Sequence, residues 1–216
     1  MGFGLLFIGY IFFLYVLPVG PQFLSVGASI MLYALYKLSR YHAGFRRAAY
    51  LALLLFFLGL PSLAEILLEA SLPISPSASS CITAAAWAAL IVFHIFLFGA
   101  IADLAKRTSL FRLQVAATQN RLFTAVFCGF LLLNEVLTLL LISRLPEDLG
   151  ARVILYVFLG KVLFGLLIAG LNLVMLYQAY MRFCPPGAEK RGVDEYESFI
   201  ASKKTSTSSD KEDKRK

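Results

Sequence analysis

The stretch "FCGFLLLNEVLTLLLISR", residues 127–144, is apolar almost throughout, yet Asn134 and Glu135 sit side by side near its middle. A hydrocarbon core about 30 Å thick needs about 20 residues of apolar helix to cross it. The run 122–143, which contains most of this stretch, is long enough. It therefore reads as a membrane-crossing helix with a carboxylate inside it. Such a charge is costly, faces the interior of a bundle rather than lipid, and marks either a packing partner or a functional site.

Composition places the whole chain in the same class. Of 216 residues, 59% are hydrophobic and only 15% charged, and the mean hydropathy is +0.77. Soluble domains are typically about 45–50% apolar and about 25% charged, so a soluble fold is excluded. The expected solvent for most of the surface is a lipid bilayer. The net charge of +7 does not point to nucleic acid in such a chain; it raises the question of which loops hold the positive charges.

Six apolar segments can be read along the chain: 3–17, 21–36, 48–70, 82–105, 122–143 and 153–183. The first two are short and flank "PVGPQ", a Pro/Gly turn signal, which predicts a tight helical hairpin. The first segment lacks a basic leader and a small-residue cleavage site, so it is expected to remain as a helix. Lys37, Arg40, Arg46 and Arg47 fall between the second and third segments. Lys106, Arg107, Arg112 and Arg121 fall between the fourth and fifth, and Arg182, Lys190 and Arg191 follow the sixth. The alternate loops carry no excess of positive charge. The positive-inside rule then predicts six crossings with both termini cytoplasmic, in a plasma membrane. The expected fold is an all-α, polytopic helical bundle over residues 1–184. Residues 185–216 are charged and Ser/Thr-rich, the composition of a disordered cytoplasmic tail.

The register of the last two segments answers the question that Glu135 raises. Glu135 is nine residues from Arg144, and Lys161 is nine from Arg152. On two antiparallel helices the carboxylate and the ammonium therefore lie at one depth, where each makes the other tolerable. Lys161, Gly165, Ala169 and Asn172 form one stripe of the last helix, small enough to let a neighbour approach closely. Thr124, Cys128, Leu131, Glu135 and Thr138 form a stripe of the fifth. Asn134 points to a third helix. His94 lies midway along the fourth segment, either as a proton carrier or as a neutral ring bonded to a backbone carbonyl or to Asn134. Pro61 and the capping-box pattern Ser62–Glu65 raise two readings, a kink or a helix restarting inside the membrane. Glu65 is placed on the outer half with Glu135 and Lys161.

The candidate substrate- or proton-binding set is thus Glu65, His94, Asn134, Glu135, Lys161 and Asn172. No catalytic residue, metal ligand or cofactor is assigned: the sequence holds no G-x-S-x-G, H-E-x-x-H or P-loop pattern, and its cysteines and histidines are unpatterned. The leading expectation is a small transporter or transporter subunit acting on a small molecule or ion. The alternatives are a scaffold that binds another membrane protein, and an interfacial lipid enzyme centred on Asp103. The connector "KRTSLFRLQVAATQNR" reads as an interfacial amphipathic helix, a loop, or an early start of the fifth helix.

Overall fold

A computed structural model of the chain describes residues 2–12, 22–67, 76–141 and 147–183. The described residues form six helices: α1 (Gly2–Phe12), α2 (Gln22–Leu38), α3 (Ala43–Leu67), α4 (Pro76–Arg107), α5 (Phe111–Leu141) and α6 (Glu147–Phe183). Each apolar segment of the sequence contributes one helix. Within α3 to α6, four stretches are long and apolar enough to cross a membrane: Ala43–Glu65, Ala78–Arg107, Phe111–Leu137 and Phe158–Phe183. The apolar parts of α1 and α2 are shorter, Gly2–Phe12 and Leu24–Leu38. The chain is thus an all-helical, multi-pass integral membrane protein by length and composition. Residues 13–21, with most of the Pro/Gly turn, and the expected tail lie outside the described residues.

Helices adjacent in sequence pack side by side, and α6 returns to pack against α1, so the six close into a ring. The closure is aromatic: the rings of Phe3 and Phe183 lie 5.1 Å apart, and those of Phe7 and Tyr177 6.2 Å apart. Small residues set the helix spacing where backbones meet. A Cβ on Gly9 would lie 3.0 Å from the Met31 amide nitrogen, and one on Gly59 3.0 Å from that of Ser25. Such close approach is the usual means of helix association in lipid, where burying apolar surface supplies little drive. The opposite faces are apolar and outward: Leu163, Phe164, Leu167 and Val174 of α6 are all exposed, as expected of surface covered by lipid chains.

Two local expectations are resolved. Helix α3 runs through Pro61 without interruption, so the capping-box pattern starts no new helix. Proline leaves a carbonyl of the preceding turn without its amide partner; nearby, the Ser25 hydroxyl of α2 donates to the Phe56 carbonyl at 2.9 Å. The basic connector is neither a loop nor a separate interfacial helix. It is mostly the first turns of α5, anchored by buried Leu113, Ala117 and Asn120. The break from α4 is a tight turn at Ser109, whose φ of 57° is left-handed. The Leu110 amide donates to the Ala105 carbonyl at 2.8 Å and that of Ser109 to Lys106 at 3.2 Å, the hydrogen-bond pattern of a Schellman cap.

The basic residues Lys37, Arg40, Arg46, Arg47, Lys106, Arg107, Arg112 and Arg182 gather at one end of the bundle. That end is where α1 starts, α6 ends and Gly44 meets Ala100. His42 caps α3, its Nδ1 accepting the Gly44 amide at 3.0 Å, while Nε2 faces the Asp103 carboxylate at 3.5 Å.

Candidate functional site

The polar residues of the membrane-spanning region fall into two layers. The first joins four helices. Tyr10 of α1, His94 of α4, Thr124 of α5 and Asn172 of α6 are all buried. The Asn172 side-chain amide donates to the Tyr10 hydroxyl at 2.7 Å and to Thr124 Oγ1 at 2.9 Å. Tyr10 Oη lies 3.0 Å from His94 Nε2, and His94 Nδ1 lies 2.7 Å from the Leu90 carbonyl. A carbonyl can only accept, so Nδ1 carries the hydrogen. In that tautomer Nε2 accepts from Tyr10. With its one hydrogen used, the Tyr10 oxygen accepts from Asn172, which fixes which way the amide points. The chain of donors therefore runs one way, from Asn172 through Tyr10 and His94 to a backbone carbonyl.

That direction decides the chemistry. The chain begins at a carboxamide and ends at a carbonyl, neither of which exchanges protons in the way a relay requires. The arrangement is a lock between helices. Among the described residues no buried side-chain nitrogen or oxygen lacks a hydrogen-bond partner, so the lock is saturated. Aromatic rings pack around it: Phe93, Phe98 and Tyr10 lie with ring centroids 5.3, 5.4 and 5.8 Å from that of His94. On α5 Asn120, one turn from Thr124, donates to the Leu171 carbonyl of α6 at 2.9 Å.

The second layer follows from the first by register. Glu135 is eleven residues beyond Thr124 on α5, and Lys161 is eleven before Asn172 on α6. On antiparallel helices both stand about 16 Å further from the basic end. Both are half-buried and within electrostatic range of each other. The Lys161 ammonium also lies 5.4 Å from the ring centroid of Trp87 on α4, a cation–π distance. Trp87 is buried and carries this contact.

The six sequence candidates are therefore not one cluster. His94 and Asn172 belong to the lock. Glu135 and Lys161 share the second level and interact electrostatically, with Asn134 half-buried on the same helix as Glu135 and outside the lock. His94 bonds the Leu90 carbonyl and Tyr10, not Asn134. Glu65 is exposed on α3 and bonds to neither layer. Sequence reading missed Tyr10. The available signal was a phenolic hydroxyl on the face that also carries Phe3 and Leu6, since a buried Tyr hydroxyl usually finds a partner.

No protein-family profile matches the chain, and no curated protein or solved structure matches it.

Proposed function

We propose that the six helices all cross the membrane, with the basic end and both termini on the cytoplasmic side of a plasma membrane, and that the protein is a small transporter or transporter subunit. The observation that supports transport most is the Glu135–Lys161 level. A carboxylate and an ammonium share one depth there and interact electrostatically, beside the face of a tryptophan. Such a pair accommodates a small ion or a zwitterion, whose opposite charges meet Glu135 and Lys161 in turn, or a proton on Glu135. The lock beneath it holds α1, α4, α5 and α6 rigid, so movement on binding is confined to the outer parts of these helices.

The test is electrical recording from reconstituted liposomes challenged with a panel of inorganic cations, amino acids and organic cations. A substrate-dependent current is expected in the wild type and is abolished in Glu135→Gln and Lys161→Met variants that retain the fold. The scaffold reading draws on a different observation, the saturation of the four-helix lock. It prevails if no member of the panel moves charge and a Glu135→Leu/Lys161→Leu variant restores the phenotype of a deletion strain in full. Orientation is tested in a background without native cysteines. A cysteine at Ser79 is expected to react with an impermeant reagent from outside, and one at Ser39 only after the membrane is opened.

A further inference from the structure

Helix α4 turns one stripe away from the core. Ala88, Val92, Ile95, Gly99 and Asp103 recur every three or four residues and are exposed or half-exposed. Helices α3 and α5 flank this helix, and each sends one arginine to it at nearly the same level. The Arg47 guanidinium carbon of α3 lies 5.6 Å from the Phe96 ring centroid. Arg121 Nη1 of α5 lies 3.6 Å from where a Cβ on Gly99 would stand. Phe96 and Gly99 are one turn apart, so the two guanidiniums reach α4 within a turn of each other, from the helices on its two sides, next to its outward apolar stripe.

Neither guanidinium has a carboxylate or hydrogen-bond partner among the described residues. Asp103, the acid one turn away along the stripe, faces His42 at 3.5 Å. A guanidinium offers five donors in a planar fork that suits phosphate, and paired forks bind a phosphodiester through charge-assisted hydrogen bonds. In a bilayer a phosphodiester arrives attached to acyl chains, and Ile95, Val92 and Ala88 continue the stripe away from the basic end. Exposed Arg46, Lys106 and Arg107 at that end repel a headgroup that carries its own cation. Basic sites between transmembrane helices on the cytoplasmic side are a known mode of anionic lipid recognition.

We propose that Arg47 and Arg121 clamp the phosphate of an anionic phospholipid whose acyl chains lie along the exposed stripe of α4. The experiment is native mass spectrometry of the full chain in detergent, titrated with phosphatidylglycerol or phosphatidylcholine. Phosphatidylglycerol is expected to bind about 10-fold more tightly, the change that about 1.4 kcal/mol produces. Arg47→Gln combined with Arg121→Gln is expected to bring it down to the phosphatidylcholine level. Arg40→Gln combined with Arg112→Gln removes the same charge from the same end and is expected to keep the preference. Gly99→Leu keeps every charge but fills the seat of Arg121, and is expected to lose it. Circular dichroism and melting establish that each variant is folded, and Arg121→Lys, which keeps the charge without the fork, stands in for any that is not and is expected to weaken binding. Equal binding of the two lipids by the wild type overturns the proposal. So does an equal loss in the Arg40/Arg112 control, which would reduce the site to general surface charge.

Discussion

Replacing Tyr10 by Phe removes one oxygen and nothing else, and that oxygen accepts from Asn172 and donates to His94. Two hydrogen bonds between transmembrane helices are lost. Such bonds are worth about 0.6 kcal/mol each on average and up to about 1.7 kcal/mol, which gives about 1–3 kcal/mol for the pair. A buried donor or acceptor left without its partner adds to the cost, so a value near 2 kcal/mol is expected. The same chain of bonds predicts how that cost is shared. In His94→Leu the acceptor of the Tyr10 hydroxyl is gone, and that hydroxyl has less to lose. A double-mutant cycle of Tyr10→Phe and His94→Leu should thus give a coupling of about 1 kcal/mol. The assay is reversible unfolding in bicelles, followed by a trapping ligand or by denaturant. A coupling below about 0.3 kcal/mol would falsify the donor order Asn172–Tyr10–His94, because independent side chains give additive losses.

Other substitutions test other parts of the fold. Ser109→Gly should stabilise the protein by up to about 1 kcal/mol, because a left-handed φ costs a side-chain-bearing residue about that much; Ser109→Val should destabilise it, and urea midpoints separate the two. At Gly59 a leucine would collide with the Ser25 amide and hydroxyl of α2. It should cost about 1–3 kcal/mol, read as a fall in melting temperature in detergent. His42→Ala removes the cap of α3 and should cost about 1 kcal/mol, which His42→Asn largely restores because asparagine is a good cap. For Glu135→Leu with Lys161→Leu the coupling should be about 1 kcal/mol. Both groups are only half-buried, so solvent moderates the roughly 3–5 kcal/mol that breaking a fully buried pair costs; additive losses would show that the two charges do not interact.

The helices were legible in the sequence because length and apolarity fix them locally. Register between α5 and α6 was legible too: the symmetric placing of Arg144 and Arg152 set Glu135 opposite Lys161, and the Thr124–Asn172 bond has that same register. The contact of Lys161 with Trp87 was not legible, since it depends on side-chain direction and on a third helix. Trp87 offers Lys161 a ring face, and nothing in the spacing of α5 or α6 announces a residue of α4. His94 likewise has Tyr10 as its partner rather than Asn134, because a side chain of α1 reaches α4 from 84 residues away. The apolar run of α5 was placed at 122, whereas the helix starts at Phe111, the early start that was one of three readings of the connector. "FRLQVAATQN" is too polar to read as membrane helix, yet its Leu113 and Ala117 bury themselves against the bundle.

The bond from Asn172 to Tyr10 spans 162 residues of chain, and this separation bears on how the protein is made. The chain is synthesised from α1 onward, at about 5–20 residues per second. Helix α1 is eleven residues long, so on leaving the ribosome it can pair with α2 through Gly9 and Met31 but has neither His94 nor Asn172 to receive Tyr10. Its hydroxyl can donate to His94 once α4 has emerged, but it has no amide to accept from until Asn172 follows. Helix α1 thus gains its partners in steps, and the arrival of α6 closes the ring. A chain cut short before Asn172 would leave its first helix half-bound, a recognisable defect for quality control in the membrane.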